Sequence, residues 1–172
     1  MMMSRISTEL VRHASALALG IALATTAASA DVRNDDAAAR NEAIVRQAFD
    51  EWAGGGNVFA RLLDPKVSWT IHGSAPVAGT YTGIDEFIER AAMPLISRLA
   101  TPLVPQVHDI WAVGETVIVR FDGSATTISG TPYANQFVWI FRMKDGLVSE
   151  AEAFLDLAAY QAVVDNNEPR TD

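Results

Sequence analysis

The sequence predicts an α+β domain in which helices come first and antiparallel strands follow. Three observations predict it. Apolar residues recur at helical spacing in three segments before residue 100, with one short strand between the second and third, period-2 alternation takes over from residue 104, and short turns containing Gly or Asp join the alternating runs without an intervening helix. That order is α+β rather than βαβ.

Residues 1–30 read as a secretory signal peptide and not as part of the fold. Arg5, Arg12 and His13 give a basic start, Ala14 to Ala24 (ASALALGIALA) an apolar core, and Ala28-Ser29-Ala30 a small-x-small cleavage site. The apolar run is too short to anchor the chain across a bilayer. Cleavage before Asp31 predicts a periplasmic or secreted protein of one domain, 31–172, with an ordered core over about 37–164. The absence of cysteine excludes a disulfide framework and lipoprotein attachment. Beyond the leader, 11 basic residues face 20 acidic ones. Such a balance argues against nucleic acid or an anionic membrane surface as partner, because both reward clustered Lys and Arg.

Asp31 to Asp36 is polar and expected to be disordered. Ala37 to Trp52 reads as a helix, with Ile44, Ala48, Phe49 and Trp52 on one stripe and Gly54-Gly55-Gly56 as its stop. Asn57 has the chemistry of an N-cap for a short helix, Val58 to Leu63, closed at Asp64-Pro65. Val67 to His72 reads as a strand, His72 to Gly83 as a loop, and Ile84 to Leu99 as a third helix that Pro94 kinks or breaks. Four strands follow, over Val104–Val113, Thr116–Ile128, Gln136–Met143 and Leu147–Phe154, and Leu155–Val164 closes the chain as a helix.

The last hairpin carries the chemistry. Phe137, Trp139 and Phe141 alternate along its first strand, and Asp145-Gly146 supplies the turn. Continuous alternation on its second strand puts Val148, Glu150, Glu152, Phe154 and Asp156 on one side, with Ala151, Ala153 and Leu155 on the other. Alternation alone permits either face to point inward. Rossmann, P-loop, zinc-ligand and G-x-S-x-G patterns are absent.

The segments AIVRQAFDEWAGGG, LLDPKVSWTIHG leading to AGTYTG, WAVGETVIVRFDGSAT, GTPYANQFVWIFRMKDG and LVSEAEAFLD stand in an order that resembles the SnoaL-like branch of the nuclear-transport-factor-2-like superfamily. Together they cover almost the whole mature chain. The resemblance implies a cone-shaped curved antiparallel sheet with three N-terminal helices packed over a central pocket. It places Trp69, Val119, Phe121, Trp139 with Phe137 or Phe141, Glu150, Glu152 and Phe154 on the pocket face. Arg120 and Asp122 then fall on the opposite face, where members of the family pair their sheets as homodimers.

Several activities are compatible with that fold. The places that ketosteroid-isomerase chemistry needs hold Trp69, Ala48 and Trp139 here, so that mechanism does not carry over. Arg120 and Asp122 read as a surface or interfacial ion pair. Glu150 and Glu152, about 7 Å apart on one strand face, are the sharper pair, because two carboxylates in an apolar cone split their pKa values and serve as acid and base. Polyketide cyclases of the SnoaL type use an acidic residue toward this end of the pocket.

The enzyme reading therefore makes Glu152 the base in a cofactor-free isomerisation, cyclisation or dehydration of a small apolar molecule. Glu150, His72 and Asp156 support it, with Asp156 either a partner for His72 or a cap for the last helix. Tyr81 and Tyr133 offer hydroxyls at the open end. The alternative is a binding or dimeric assembly module, which follows if the Glu face is wet and Ala151, Ala153 and Leu155 pack inward. His72, His108 and the acids have no recognisable ligand spacing, so no metal is expected.

Overall fold

The computed structural model describes residues 34–170. The predicted signal peptide lies outside the described residues. Helix α1 covers 34–53 and begins inside the stretch expected to be disordered. Asp35 and Asp36 suit that position, since acidic side chains in a first turn oppose the positive end of the helix dipole. Val45, Ala48 and Phe49 are its buried stripe. It stops where Gly55 takes φ 99° and the Gly56 N–H reaches back to the Glu51 carbonyl at 2.8 Å.

Helix α2, Val58–Leu62, starts on the Asn57 side chain, whose Oδ1 accepts from the Phe59 and Ala60 N–H groups at 3.1 Å each. Strand β1, Leu63–Ile71, follows at once and is longer than predicted because Leu63 already pairs with Val148. Strand β2, Gly79–Thr82, lies in the predicted loop and pairs antiparallel with β1. Four residues between two glycines are too few for alternation to be read.

The predicted third helix is broken into α3 (Ile84–Phe87), a π-helical turn (Ile88–Ala92) and α4 (Met93–Ile96). Pro94 brings no N–H to the ladder, and the Met93 N–H bonds the Ile88 carbonyl five residues back. Strands β3 (Val104–Val113), β4 (Thr116–Thr126), β5 (Pro132–Lys144) and β6 (Leu147–Leu155) follow. Helix α5, Leu157–Asn166, is capped by the Asp156 side chain. Positive φ at both Asp145 (52°) and Gly146 (82°) makes the β5–β6 connection the tight hairpin its Asp-Gly predicts.

The six strands form one sheet in the order β2-β1-β6-β5-β4-β3. Its pairs are antiparallel except β1 with β6, which run parallel, a departure from the all-antiparallel expectation. The inner face carries Trp69, Val117, Val119, Phe121, Phe141 and Met143, all essentially without solvent exposure, and α1 lays Val45 and Phe49 across it. Among the described residues no helix is long and apolar enough to cross a membrane.

Candidate functional site

A cavity of about 400 Å³ lies between the inner sheet face and the helices. The sheet contributes Trp69 and Ile71 from β1, Phe137 and Trp139 from β5, and Ala153 and Leu155 from β6. Trp52 and the Gly55-Gly56 turn close one side, and Phe59 of α2 another. Phe87, with Ile88 and Ala91 of the π-helical turn, forms the roof beside Tyr160 of α5. The aromatic rings hold one another in place: Trp52 stacks parallel to Trp139 with centroids 5.8 Å apart, Trp69 stands edge-on to Trp139 at 5.1 Å, and Phe87 stacks on Trp69 at 4.2 Å.

Small residues make room for these rings. Ala153 sits in register between Ile71 and Trp139, and Ala151 between Trp69 and Phe141. Gly123 serves the same end, since a Cβ there would come within 2.9 Å of the Phe137 ring and 3.2 Å of Leu103, which also lines the cavity. Among the described residues no Asp, Glu, His, Lys or Arg side chain lines the cavity. Tyr160 donates its hydroxyl to the Ala91 carbonyl at 2.9 Å, and burial pushes its phenol above the ordinary range. Such a wall suits a neutral, largely apolar molecule.

Of the residues predicted for the pocket, Trp69, Phe137 and Trp139 line it. Val119, Phe121 and Phe141 are packed into the core and do not. Tyr81 is a buried β2 residue that donates to the Val77 carbonyl at 2.8 Å; burial raises its pKa, against the nearby Arg90. Tyr133 is buried on β5 and accepts from the Asn135 amide at 2.9 Å. Neither hydroxyl reaches the cavity wall.

The predicted acids are on the other face. Glu150, Glu152 and Phe154 point outward, with the two carboxylate side chains 65% and 53% exposed. The reason is a β-bulge: Met143 pairs with Val148 but Arg142 pairs with Glu150, so Ser149 is an extra residue and the alternation changes phase there. Val148 therefore points inward while Glu150 and Glu152 do not. His72 is also outside, its Nε2 2.8 Å from Glu152 Oε2 and its ring stacked on Phe154 at 4.5 Å. Asp156 is the helix cap, accepting from the Ala158 and Ala159 N–H groups, and makes no bond to His72. The burial that would set two carboxylates to acid and base work is missing.

The SnoaL-like domain profile matches residues 45–151, more than half of the chain. The chain belongs to the SnoaL-like domain family. No curated protein sequence matches it. Among solved structures it is similar to a putative SnoaL-like polyketide cyclase from Jannaschia sp. CCS1, at 22% identity and TM-score 0.60 over 77% of this chain and 96% of that one. Bal32a from a soil-derived mobile gene cassette gives 19% and 0.61 over 73% and 97%. TerC, co-crystallised with polyporic acid, gives 20% and 0.59 over 74% and 99%. Likeness at these identities concerns the cone fold.

The outer sheet face of this SnoaL-like domain carries a second concavity, about 700 Å³, a shallow groove lined by Gln106, Arg120, Asp122, Gln136, Val138 and Phe154. Asp122 accepts from His108 at 3.0 Å and from Arg120 at 2.5 Å, and these two bonds, the His108 one first, hold its carboxyl below the usual range. The groove is the larger, but it carries the Arg120 and Asp122 charges, whereas the inner cavity is walled by aromatic rings. Cavity residues that the sequence prediction missed come from the helices: Trp52, Phe59, Phe87 and Tyr160. Trp52 stood on the apolar stripe of the first helix, but nothing in the spacing separated a packed position from one bordering a void.

Proposed function

We propose that this SnoaL-like domain is a binding module that holds a small, neutral, largely apolar molecule in its cone. The observation that carries this is a 400 Å³ aromatic cavity whose wall has no charged side chain. Among the described residues no carboxylate or imidazole lines it, and Glu150 and Glu152 lie across the sheet from it. That a fold relative, TerC, was co-crystallised with polyporic acid supports a ligand-binding use of the cone.

The test is binding of N-phenyl-1-naphthylamine, an uncharged fluorophore that brightens on leaving water. Saturable binding with a negative heat-capacity change is expected. Ala153→Leu, which pushes methylenes into the cavity between Ile71 and Trp139, should weaken it about tenfold while costing roughly 1–3 kcal/mol of stability. No saturable binding to the folded protein overturns the proposal.

A homodimer through the outer sheet face is compatible with this and has its own support. Trp111 and Phe154 are 51% and 42% exposed, and the register sets Trp111 beside Ile118, Ile118 beside Ile140, and Phe154 beside Val138 on the outer face. Sedimentation at micromolar concentration tests it, and a clean monomer removes it. Export rests on the first 30 residues, and the native protein is expected to begin at Asp31 on N-terminal sequencing.

A further inference from the structure

Trp69 is 1% exposed, and its Nε1 is the only fully buried side-chain nitrogen or oxygen among the described residues that has no hydrogen-bond partner. Buried donors are almost always paired, so an orphan asks for a partner that the protein alone does not supply. The surroundings of the ring explain why none is present. Phe87 stacks on it, and Phe59 and Trp139 meet it edge-on, all apolar surfaces without an acceptor oxygen. The unfilled volume that the indole borders is the cavity.

We infer that the Trp69 indole N–H is the specificity-determining donor of the cavity, selecting a ligand that carries a neutral acceptor oxygen, a carbonyl or ether, over a hydrocarbon of the same shape. This rests on the cavity being a ligand site. The cation-free wall requires the acceptor to be uncharged, because a carboxylate or phosphate placed there loses its hydration and gains no counter-charge. The N–H lies buried beneath the wall, so the oxygen reaches it as the rings adjust around the ligand. A hydrogen bond made in so dry a place discriminates strongly, since a ligand without the acceptor leaves the donor unpaired.

Two probes of equal size separate the outcomes: 2-acetylnaphthalene, with C=O, and 2-isopropenylnaphthalene, with C=CH2 in its place. In the wild-type full chain, the assigned Trp69 indole N–H resonance is expected to move downfield more with the ketone than with the hydrocarbon. In Trp69→Phe the ketone-to-hydrocarbon affinity ratio should fall about tenfold, the size of one net hydrogen bond. If both probes bind, shift the resonance equally and keep their ratio within about twofold in Trp69→Phe, the inference is overturned while the cavity proposal stands. The face of the Trp139 ring is then the partner of the N–H. If neither probe binds, both fall. Should Trp69→Phe fail to fold, the wild-type resonance comparison decides alone.

Discussion

Trp139→Ala measures whether the cavity is open in solution. Trp139 is 6% exposed and meets the rings of Phe49, Trp52, Trp69 and Phe121 at centroid distances of 5.7, 5.8, 5.1 and 4.8 Å, while another part of it borders the void. Truncating a fully packed aromatic side chain to Ala costs about 3–5 kcal/mol, from lost transfer energy and the new hole. The part of Trp139 beside the void has no protein atoms to lose, so its cost belongs near 3 kcal/mol. Phe141, 1% exposed and away from the cavity, should cost about 4 kcal/mol on truncation although its side chain is smaller. That inversion of the size order is the signature. Urea denaturation with a shared m-value gives both numbers, and in a thermal melt about 3 kcal/mol corresponds to roughly 10 °C for a domain of this length. A Trp139→Ala loss exceeding that of Phe141→Ala by more than about 1 kcal/mol means the cavity is packed shut, and a loss under about 1 kcal/mol means the ring cluster is not formed; either refutes the reasoning.

Glu150→Gln and Glu152→Gln should each change stability by less than about 0.5 kcal/mol and leave fluorophore binding unchanged; a large loss of binding would return the carboxylates to the pocket. Burial pushes the Tyr133 phenol up to about 12, against an ordinary value of 10.0. The unfolded chain therefore releases this proton first as pH rises, and stability that is whole below pH 10 should decline toward pH 12 by roughly 2–3 kcal/mol, with Tyr133→Phe flattening part of the slope in urea midpoints. Tyr160, shifted the same way, keeps the rest of it. Asp122 is depressed, so its contribution is present above the ordinary carboxylate pKa and lost as pH falls through the lower folded value. Carbon-detected NMR titration should show this, and His108→Ala should move the titration back up; an ordinary value in the wild type refutes the pairing.

Most of the fold was legible because its signals are local. Asn57 and Asp156 cap the helices that their chemistry suits, the Asp-Gly turn makes its hairpin, and Pro94 interrupts its helix. The cavity was half legible. The resemblance placed Trp69, Phe137 and Trp139 on the pocket face, where they stand, but it carried the carboxylates there too, and one inserted residue, Ser149, changes the phase of their strand without a mark in the composition. The Glu-Ala alternation of SEAEA was visible; which half faces inward depends on neighbours. Ala151 and Ala153 face inward because Trp69 and Trp139 on the flanking strands take the space a larger side chain would need. The parallel β1–β6 pair was likewise hidden, since it joins residues that no turn brings together.

That pair has a kinetic meaning. The hairpins from β3 to β6 close between sequence neighbours, but β1 finds its place only against the last strand, with contacts such as His72 to Glu152 spanning 80 positions. Long loops are costly to close before their contacts reward them, so pairing β1 with β6 is expected to come late in assembly, which slowed folding by substitutions at this seam would test. Trp69 and Ala153, which both wall the cavity, stand on opposite sides of that seam. On the binding proposal, a molecule lodged in the cone would bridge the two and, binding only the closed form, would stabilise the seam by mass action. Ligand binding, if the proposal holds, would then be read as a rise in the stability of that seam.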